Sequence, residues 1–265
     1  MSPGAPKYNI QPRRDWDIFR VKTPLVSERI EKPSDTALWR TEDATMVKPR
    51  VVLADDHTLL LQACQKLLES EFEVPAVFTD GRALLEAAPR LKPDAIVLDI
   101  GMPLLNGLDA ARQLKKLLPS AKLIFLTMYL DPDLASEAIR AGASAYLIKT
   151  SAAAELVKAI HEALKGRLYV TPSIARGMED AFIKNPEAKR VTRELTPRQR
   201  DVLQLLAEGR PMKEAAYILS VSTRTIAFHK YRMMEQLGLK SSAELIQFAV
   251  SQHVVSQRPE FNQKA

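Results

Sequence analysis

The chain of 265 residues is long enough for two domains with ordinary cores, and 46% hydrophobic with 26% charged residues is typical of a soluble protein. The single cysteine, Cys64, excludes an internal disulfide framework and any zinc site built from several cysteines, and its apolar neighbours predict a core position. No apolar run approaches the ~20 residues that span a bilayer, and the N-terminus has no secretory h-region, so we expect a cytoplasmic protein without a membrane partner.

The formal net charge of +6 is distributed unevenly along the chain. Residues 46–166 contain 14 Lys and Arg against 15 Asp and Glu, whereas residues 190–265 contain 12 against 7. A basic segment next to a neutral one is typical of a polyanion-binding domain attached to a regulatory domain. Charge alone leaves open that the excess is only a solvated surface.

Residues 1–45 contain five prolines and mixed charges without a helical or strand period, which predicts a disordered N-terminal extension. Met46 directly precedes the first apolar run, so translation beginning there is a hypothesis that natural peptides from upstream of Met46 would refute. Residues 167–194 carry prolines and a glycine around one short segment that can be helical, and they are predicted to be a linker.

Four short apolar runs between residues 51 and 148 are each followed directly by polar residues. The runs are Val51–Ala54 before Asp55 and Asp56, Ala95–Leu98 before Asp99, Leu123–Leu126 before Thr127, and Ala145–Ile148 before Lys149. Helix-period segments separate them, which predicts an α/β fold with a doubly wound parallel sheet. Ligands of such sheets bind beyond the carboxyl ends of the strands, so we expect the five polar residues to form one site.

These side chains suit phosphoryl transfer. Three carboxylates at one sheet edge repel one another unless a cation lies among them, and Mg²⁺ is commonly held by one or two carboxylates with phosphate oxygens. Asp99 is predicted as the nucleophile, Lys149 as the countercharge and Thr127 as a hydroxyl donor to the phosphoryl group. The alternative is that each acid only caps the next helix, which is the preferred interpretation for Asp80 and Asp131.

The same motifs resemble the receiver domain of bacterial two-component response regulators. The matching features are Asp55-Asp56-His57, the stretch D-x-x-M-P-x-x-x-G from Asp99 to Gly107, the lone Thr127, and Lys149. The resemblance implies a five-stranded, flavodoxin-like receiver at residues 46–166 that accepts a phosphoryl group on Asp99 from a sensor histidine kinase.

Further roles follow from this resemblance alone. It implies that Asp56, Asp99 and the carbonyl of Gly101 ligate Mg²⁺, with Asp55 acting directly or through water. Tyr146 matches the switch aromatic of the family, although an ordinary strand aromatic is an equal alternative. A phosphoryl group adds about −1.5 to −2 charges, so Thr127 would move toward it and Tyr146 could enter the vacated space. The fourth and fifth helices would then repack for dimerisation or for release of an attached domain.

The C-terminal part of the chain shows start signals for four helices. Thr196 and Gln199 form a capping box around Pro197, Pro211 can open a second helix, a third begins near Thr223, and Ser241 with Glu244 starts the fourth. Two short helices joined by a tight turn, with basic side chains on the second, are typical of a helix-turn-helix motif. A plain four-helix bundle is the open alternative.

Residues 193–251 are similar to the LuxR-type domain of the NarL/FixJ response regulators. The matching segments are Leu195-Thr196-x-Arg198, Val202-Leu203-x-Leu205-Leu206-Ala207-x-Gly209, Lys213-Glu214-x-Ala216 and Val221-Ser222-x-x-Thr225-Ile226-x-x-His229. The similarity implies a helix-turn-helix domain at residues 195–265 that binds double-stranded DNA as a dimer. Its third helix would present Ala227, Phe228 and Tyr231 to bases, whereas phosphates would be reached by Arg224, Thr225, Lys230 and Arg232.

The chain departs from the family pattern at several positions. Ala227 stands where the family usually has lysine, Gln199 replaces a glutamate, and Pro211-Met212 replaces a small polar residue and asparagine. The lost lysine removes one phosphate or guanine contact, which keeps open a phospho-controlled protein-interaction module that does not read DNA. An aspartyl-phosphate phosphohydrolase is a further alternative, but such enzymes have an acid two residues after the nucleophile, where this chain has Gly101. The favoured interpretation is a transcription regulator whose only catalysis is its own phosphorylation and dephosphorylation.

Overall fold

The structure is a computed structural model that describes residues 47–184 and 195–255. The predicted N-terminal extension, the last part of the predicted linker (185–194) and the C-terminal residues 256–265 lie outside the described residues. No helix within the two described ranges is both long enough and apolar enough to cross a membrane.

Residues 47–184, here called the sheet domain, contain a parallel sheet of six strands in the order β2-β1-β3-β4-β5-β6. The strands are β1 (Val51–Ala54), β2 (Val77–Phe78), β3 (Ala95–Leu98), β4 (Lys122–Thr127), β5 (Ala143–Ile148) and β6 (Tyr169–Val170). The chain order reverses beside β1, which has β2 on one side and β3 on the other. The predicted doubly wound parallel fold is confirmed, with six strands where five were expected.

Helices cover both faces of the sheet. One face packs on α1 (Thr58–Leu68) and α5 (Ala152–Leu164), and the other packs on α2 (Gly81–Leu91), α3 (Gly107–Leu117) and α4 (Pro132–Arg140). Successive strand residues point to opposite faces, so Val51 and Leu53 join the first core while Val52 joins the second. Because both faces are covered, the strands read as continuous apolar runs. Cys64 of α1 is buried in the first core, as predicted.

The sixth strand lies within the segment predicted as a linker. β6 pairs with β5, and α6 (Pro172–Lys184) packs against α4. Ile174 is buried in the second core, and a Cβ at Gly177 would lie only 2.7 Å from Pro132 Cγ. Residues 169–178 are therefore part of the sheet domain, which corrects the expectation of a five-stranded sheet followed by a free linker.

Residues 195–255, here called the helical domain, contain four helices around their own core. These are α7 (Pro197–Ala207), α8 (Met212–Ile218), α9 (Thr223–Gln236) and α10 (Ser242–Ser251). Thr196 and Gln199 form the predicted capping box, in which each side chain accepts a hydrogen bond from the backbone N–H of the other residue.

In the sheet domain, Asp80 and Asp131 cap α2 and α4, which is the interpretation preferred from the sequence for these two acids.

Gly107 begins α3 directly behind Asp99, and a Cβ there would lie 2.0 Å from the carbonyl oxygen of Asp99. We expect Gly107→Ala to lower the free energy of unfolding by about 3 kcal/mol or more, because the obstructing atoms are backbone. Urea denaturation measures this loss. Gly166→Ala is the matched control: no described atom lies within 4 Å of its Cβ position, so only its left-handed φ of 79° costs about 1 kcal/mol. Equal losses in the two variants would contradict the steric explanation.

Candidate functional site

Strand register places two acids side by side at the carboxyl end of the sheet. Ala54 of β1 is paired with Leu98 of β3, so the next residues, Asp55 and Asp99, are neighbours. Both are buried, while Asp56 is partly exposed at the mouth of the site. Asp99 Oδ1 accepts a hydrogen bond from the backbone N–H of Ile100 at 2.8 Å, which leaves Oδ2 directed to other partners.

Lys149 supplies the positive charge of this site. It follows β5 in a 3-10 turn, and its Nζ lies 2.7 Å from Asp55 Oδ2 and 3.1 Å from Asp99 Oδ2. Burial raises the pKa of Asp99 above its ordinary value, although the charge of Lys149 opposes the shift. Burial would lower the pKa of Lys149, but the charges of Asp99 and Asp55 raise it overall. Lys149 is therefore a cation shared by two buried carboxyl groups.

Thr127 and Tyr146 converge on the loop that follows β4. Thr127 is fully buried, its hydroxyl opposes the rise in the pKa of Asp99, and it accepts a bond from the backbone N–H of Tyr129 at 3.4 Å. Tyr146 has its ring in the core, and its hydroxyl donates to the carbonyl oxygen of Tyr129 at 2.9 Å. The ring of Tyr129 contacts His253 of the helical domain edge to face, with centroids 4.8 Å apart. One loop thus connects the acidic site to the helical domain.

The acidic residues could hold a metal ion. Ligand atoms of Asp55, Asp56, His57 and Asp99 all lie within 4.8 Å of one another, and three of these four residues offer the oxygen atoms that hard divalent cations prefer. Gly101 lies two residues after Asp99 in the loop between β3 and α3. His57 was identified from the sequence only as part of the matching motif and without a role, but its Nδ1 is 3.0 Å from Asp55 Oδ1 and 2.9 Å from Asp56 Oδ1. Its position directly after the acidic pair was the available signal.

A second polar cluster, which the sequence did not indicate, joins the two domains. Gln204 lies in α7 and Glu208 directly follows this helix. The side chains of both residues bind the loop of residues 100–106. Gln204 Nε2 donates to the carbonyl oxygen of Met102 at 3.0 Å, and its Oε1 accepts from the N–H of Asn106 at 2.7 Å. Glu208 Oε1 accepts from the N–H of Leu104 at 2.8 Å. This loop begins directly after Asp99, so the helical domain contacts the chain that carries the acidic site.

An ion pair, a further hydrogen bond and backbone strain accompany these contacts. In the ion pair, Arg200 Nε lies 2.6 Å from Asp109 Oδ1. In the hydrogen bond, Arg82 Nε donates to the carbonyl oxygen of Leu104 at 3.2 Å. Leu104 adopts a φ of 65°, a left-handed conformation that costs a residue with a Cβ about 1–2 kcal/mol. Its side chain packs on the core of the helical domain. The interface therefore holds Leu104 in a conformation that the loop would not favour alone.

The residues predicted to contact DNA lie on α9 in three settings. Ile226 and Met233 form its buried side. The outward side carries five of the seven predicted residues. Four of these are exposed, namely Arg224, Phe228, Tyr231 and Arg232, and Ala227 is half-buried. Lys230 is half-buried, and its Nζ lies 5.6 Å from the centroid of the Tyr231 ring. Thr225 is separate from the others, because its N–H and hydroxyl both contact the hydroxyl of Ser222, the cap of α9.

Comparison with known proteins identifies both halves of the chain. Residues 51–161 match the model of the response regulator receiver domain, and residues 193–249 match that of the bacterial regulatory proteins of the luxR family. The chain belongs to the response regulators with a LuxR-type domain. It is a transcription regulator that combines a receiver with a DNA-binding domain, so the favoured interpretation is confirmed and the two alternatives are not supported.

Individual relatives agree over most of the chain. The transcriptional regulatory protein MctR of Rhizobium johnstonii is 32% identical over 211 residues, which is 79% of this chain and 96% of MctR. The oxygen regulatory protein NreC of Staphylococcus aureus is 30% identical over 214 residues, 78% of this chain and 99% of NreC.

Solved structures of the Salmonella typhimurium response regulator RcsB are also similar. One matches at 29% identity with a TM-score of 0.54, covering 78% of this chain and 98% of RcsB. RcsB bound to the P1flhDC promoter in the presence of the phosphomimetic BeF3- matches at 28% identity with a TM-score of 0.50, covering 77% and 98%.

The ion pairs of Lys149 generate a stability prediction. Lys149→Met leaves Asp55 and Asp99 buried without their cation, so we expect a loss of about 3 kcal/mol in the free energy of unfolding when divalent ions are chelated. Urea denaturation in the presence of a chelator measures it. Lys66→Met is the matched control, since that side chain is 84% exposed and its pair with Glu69 contributes under about 1 kcal/mol. A loss at Lys149 no larger than at Lys66 would show that the buried pairs do not stabilise the fold.

Proposed function

We propose that Asp99 is the phosphoryl acceptor of this response regulator and that a sensor histidine kinase is the donor. The observation that carries the proposal is the position of Lys149 Nζ between Asp55 and Asp99 at the carboxyl edge of the sheet. Thr127, whose hydroxyl acts on the pKa of Asp99, is the second group able to stabilise an attached phosphoryl group. Asp80 and Asp131, which also follow apolar segments, are occupied in capping helices and are unsuitable as acceptors.

In the proposed reaction a carboxylate oxygen of Asp99 forms a bond to phosphorus while the bond between phosphorus and the imidazole nitrogen of the kinase breaks. The imidazole nitrogen keeps the electron pair of the broken bond. Lys149 then pairs with the phosphoryl oxygens, and Thr127 donates its hydroxyl hydrogen to one of them. Mg²⁺, when held by Asp56, Asp99 and the carbonyl of Gly101 with Asp55 directly or through water, would neutralise charge on those oxygens.

The contacts between the domains supply a route for the signal. The phosphoryl group would draw Thr127 and Lys149 away from their present partners and change the loops that follow β3 and β4. The first of these loops is bound by Gln204 and Glu208, and the second contacts His253 through Tyr129. We propose that phosphorylation weakens these contacts and so changes how the helical domain is held.

The output of the signal would be DNA binding by α9, most simply as a homodimer on a two-fold site. The exposed basic residues Arg224 and Arg232 suit phosphates. The RcsB structure bound to a promoter in the presence of a phosphomimetic supports DNA binding by the phosphorylated form here. Because DNA and the kinase's phosphohistidine are both reached from the cytoplasm, we propose that the protein acts there.

Acetyl phosphate tests the acceptor. We expect Mg²⁺-dependent incorporation of one phosphoryl group into the full chain, detected by intact-mass spectrometry. That incorporation should be lost in Asp99→Ala, because Asp99 is the carboxylate that pairs with Lys149 and is also influenced by Thr127. Asp80→Ala, which alters the cap of α2, is the control and should still be labelled. Labelling of Asp99→Ala at the wild-type level would refute the assignment.

Hydrogen exchange tests the route between domains. Gln204→Ala removes the acceptor of the Asn106 N–H, so this amide should exchange faster while the Leu104 amide, bound by Glu208, is affected less. Lost contacts at a buried glutamine cost about 2 kcal/mol, which would raise the open population of the loop about thirtyfold. Phosphorylation of the wild-type chain should accelerate the same amides.

Gln62→Ala, on the exposed side of α1, is the control and should leave both amides unchanged. DNA affinity in Gln204→Ala should respond less to phosphorylation than in the wild type, because the contact to be broken is already weakened. An unchanged exchange rate at Asn106 after phosphorylation would exclude this route.

A further inference from the structure

We propose that the protein recognises its operator through the methyl groups of thymines, with Phe228 as the main contact and Ala227 beside it. The proposal rests on the proposed function, since it needs α9 to enter the major groove. It goes further by naming the chemical group that is recognised and the side chain that recognises it.

The outward face of α9 is aromatic at its centre. Arg224, Phe228 and Tyr231 are spaced by four and three residues, so they lie on one side of the helix, opposite the buried Ile226 and Met233. Phe228 is 57% exposed and Tyr231 is 62% exposed. Two large rings facing water on one helix, with a small Ala227 next to them, form a surface that an apolar group can cover.

The centre of the outward face of α9 offers few side chains that could recognise bases by hydrogen bonds. Guanine is read by arginine or lysine and adenine by asparagine or glutamine, but residues 223–235 contain no asparagine or glutamine. Arg224 and Arg232 lie on either side of the rings, and Lys230 is half-buried over the Tyr231 ring. The centre of the face therefore has little capacity for bidentate bonds to purines.

Thymine is the base whose major-groove edge matches the apolar surface formed by Phe228 and Ala227. Its C5-methyl group projects into the major groove, and phenylalanine and alanine are among the side chains that contact it. The Phe228 ring packs edge to face on His229, with centroids 5.5 Å apart, which restricts its movement. Burial lowers the pKa of His229, with a smaller contribution from Arg198, so the neighbouring imidazole favours its neutral form. Ala227, where the family usually has lysine, leaves room for the methyl group.

Replacement of thymine by deoxyuridine tests this directly, because it removes the methyl group and keeps every hydrogen-bonding atom. A random DNA library is first selected on the full chain after treatment with acetyl phosphate and Mg²⁺. Each thymine of the selected site is then replaced in turn, and the Kd is measured by fluorescence anisotropy. We expect one or two positions per half-site at which binding weakens about fourfold, the effect of losing one buried methyl group.

A double-mutant cycle identifies the side chain. Phe228→Ala should bind the thymine and deoxyuridine forms of those positions with equal affinity, and its exposed position means that its thermal unfolding should match the wild type. Arg232→Ala is the matched control: it should weaken binding to both forms and reduce the salt dependence, while the ratio between the two forms stays as in the wild type.

The outcomes separate this inference from the proposed function. Failure to select any DNA sequence would overturn sequence-specific DNA binding and the inference with it. A selected site that tolerates deoxyuridine at every position, or a deoxyuridine effect that persists in Phe228→Ala, would overturn the inference alone. Unchanged affinity of Phe228→Ala for the selected site would also overturn the inference, because the ring would then make no contact with the DNA.

Discussion

The ion pairs between Lys149 and the carboxyl groups of Asp55 and Asp99 are the interaction on which the other features depend. Removing two acids and an amine from water costs several kcal/mol for each group, and their mutual attraction offsets this only while all three remain together. The parallel register of β1 and β3 keeps the acids adjacent, and the end of β5 brings the lysine to them. Asp56 adds a third acid at the mouth of the site, so the cluster could hold a further cation.

The same balance explains how a local change of charge can reach the second domain. Loop 100–106 begins directly after Asp99 and ends at Asn106, where Gln204 binds it. Within it, Leu104 carries about 1–2 kcal/mol of backbone strain that is held by Glu208 and by packing on the helical core. This is comparable to the few kcal/mol that separate two populated states of a switch. In the proposed mechanism, a phosphoryl group at Asp99 would need to alter only a few contacts to change the preferred state of the loop.

How far the sequence could predict the structure follows from how each element is stabilised. β1, β3, β4 and β5 are buried on both faces and were visible as apolar runs, and the caps at Thr196 and Ser241 marked helix starts. β2 and β6 have two residues each, too few for any periodicity. The convergence of Asp55, Asp99 and Lys149 was predictable because the carboxyl ends of parallel strands meet at one edge of the sheet. The interface was not, because Gln204 and Asp109 look like ordinary polar residues of amphipathic helices until tertiary packing buries them.

The position of the recognition surface limits how the receiver can control it. α7 is held against the sheet domain by Arg200 and Gln204, yet Phe228 and Tyr231 on α9 remain more than half exposed in the same arrangement. The sheet domain therefore does not cover the face that would meet bases. We infer that control acts on how the helical domain is oriented or paired with a second copy. A two-fold operator would amplify such control, because both recognition helices must reach successive major grooves at a fixed spacing.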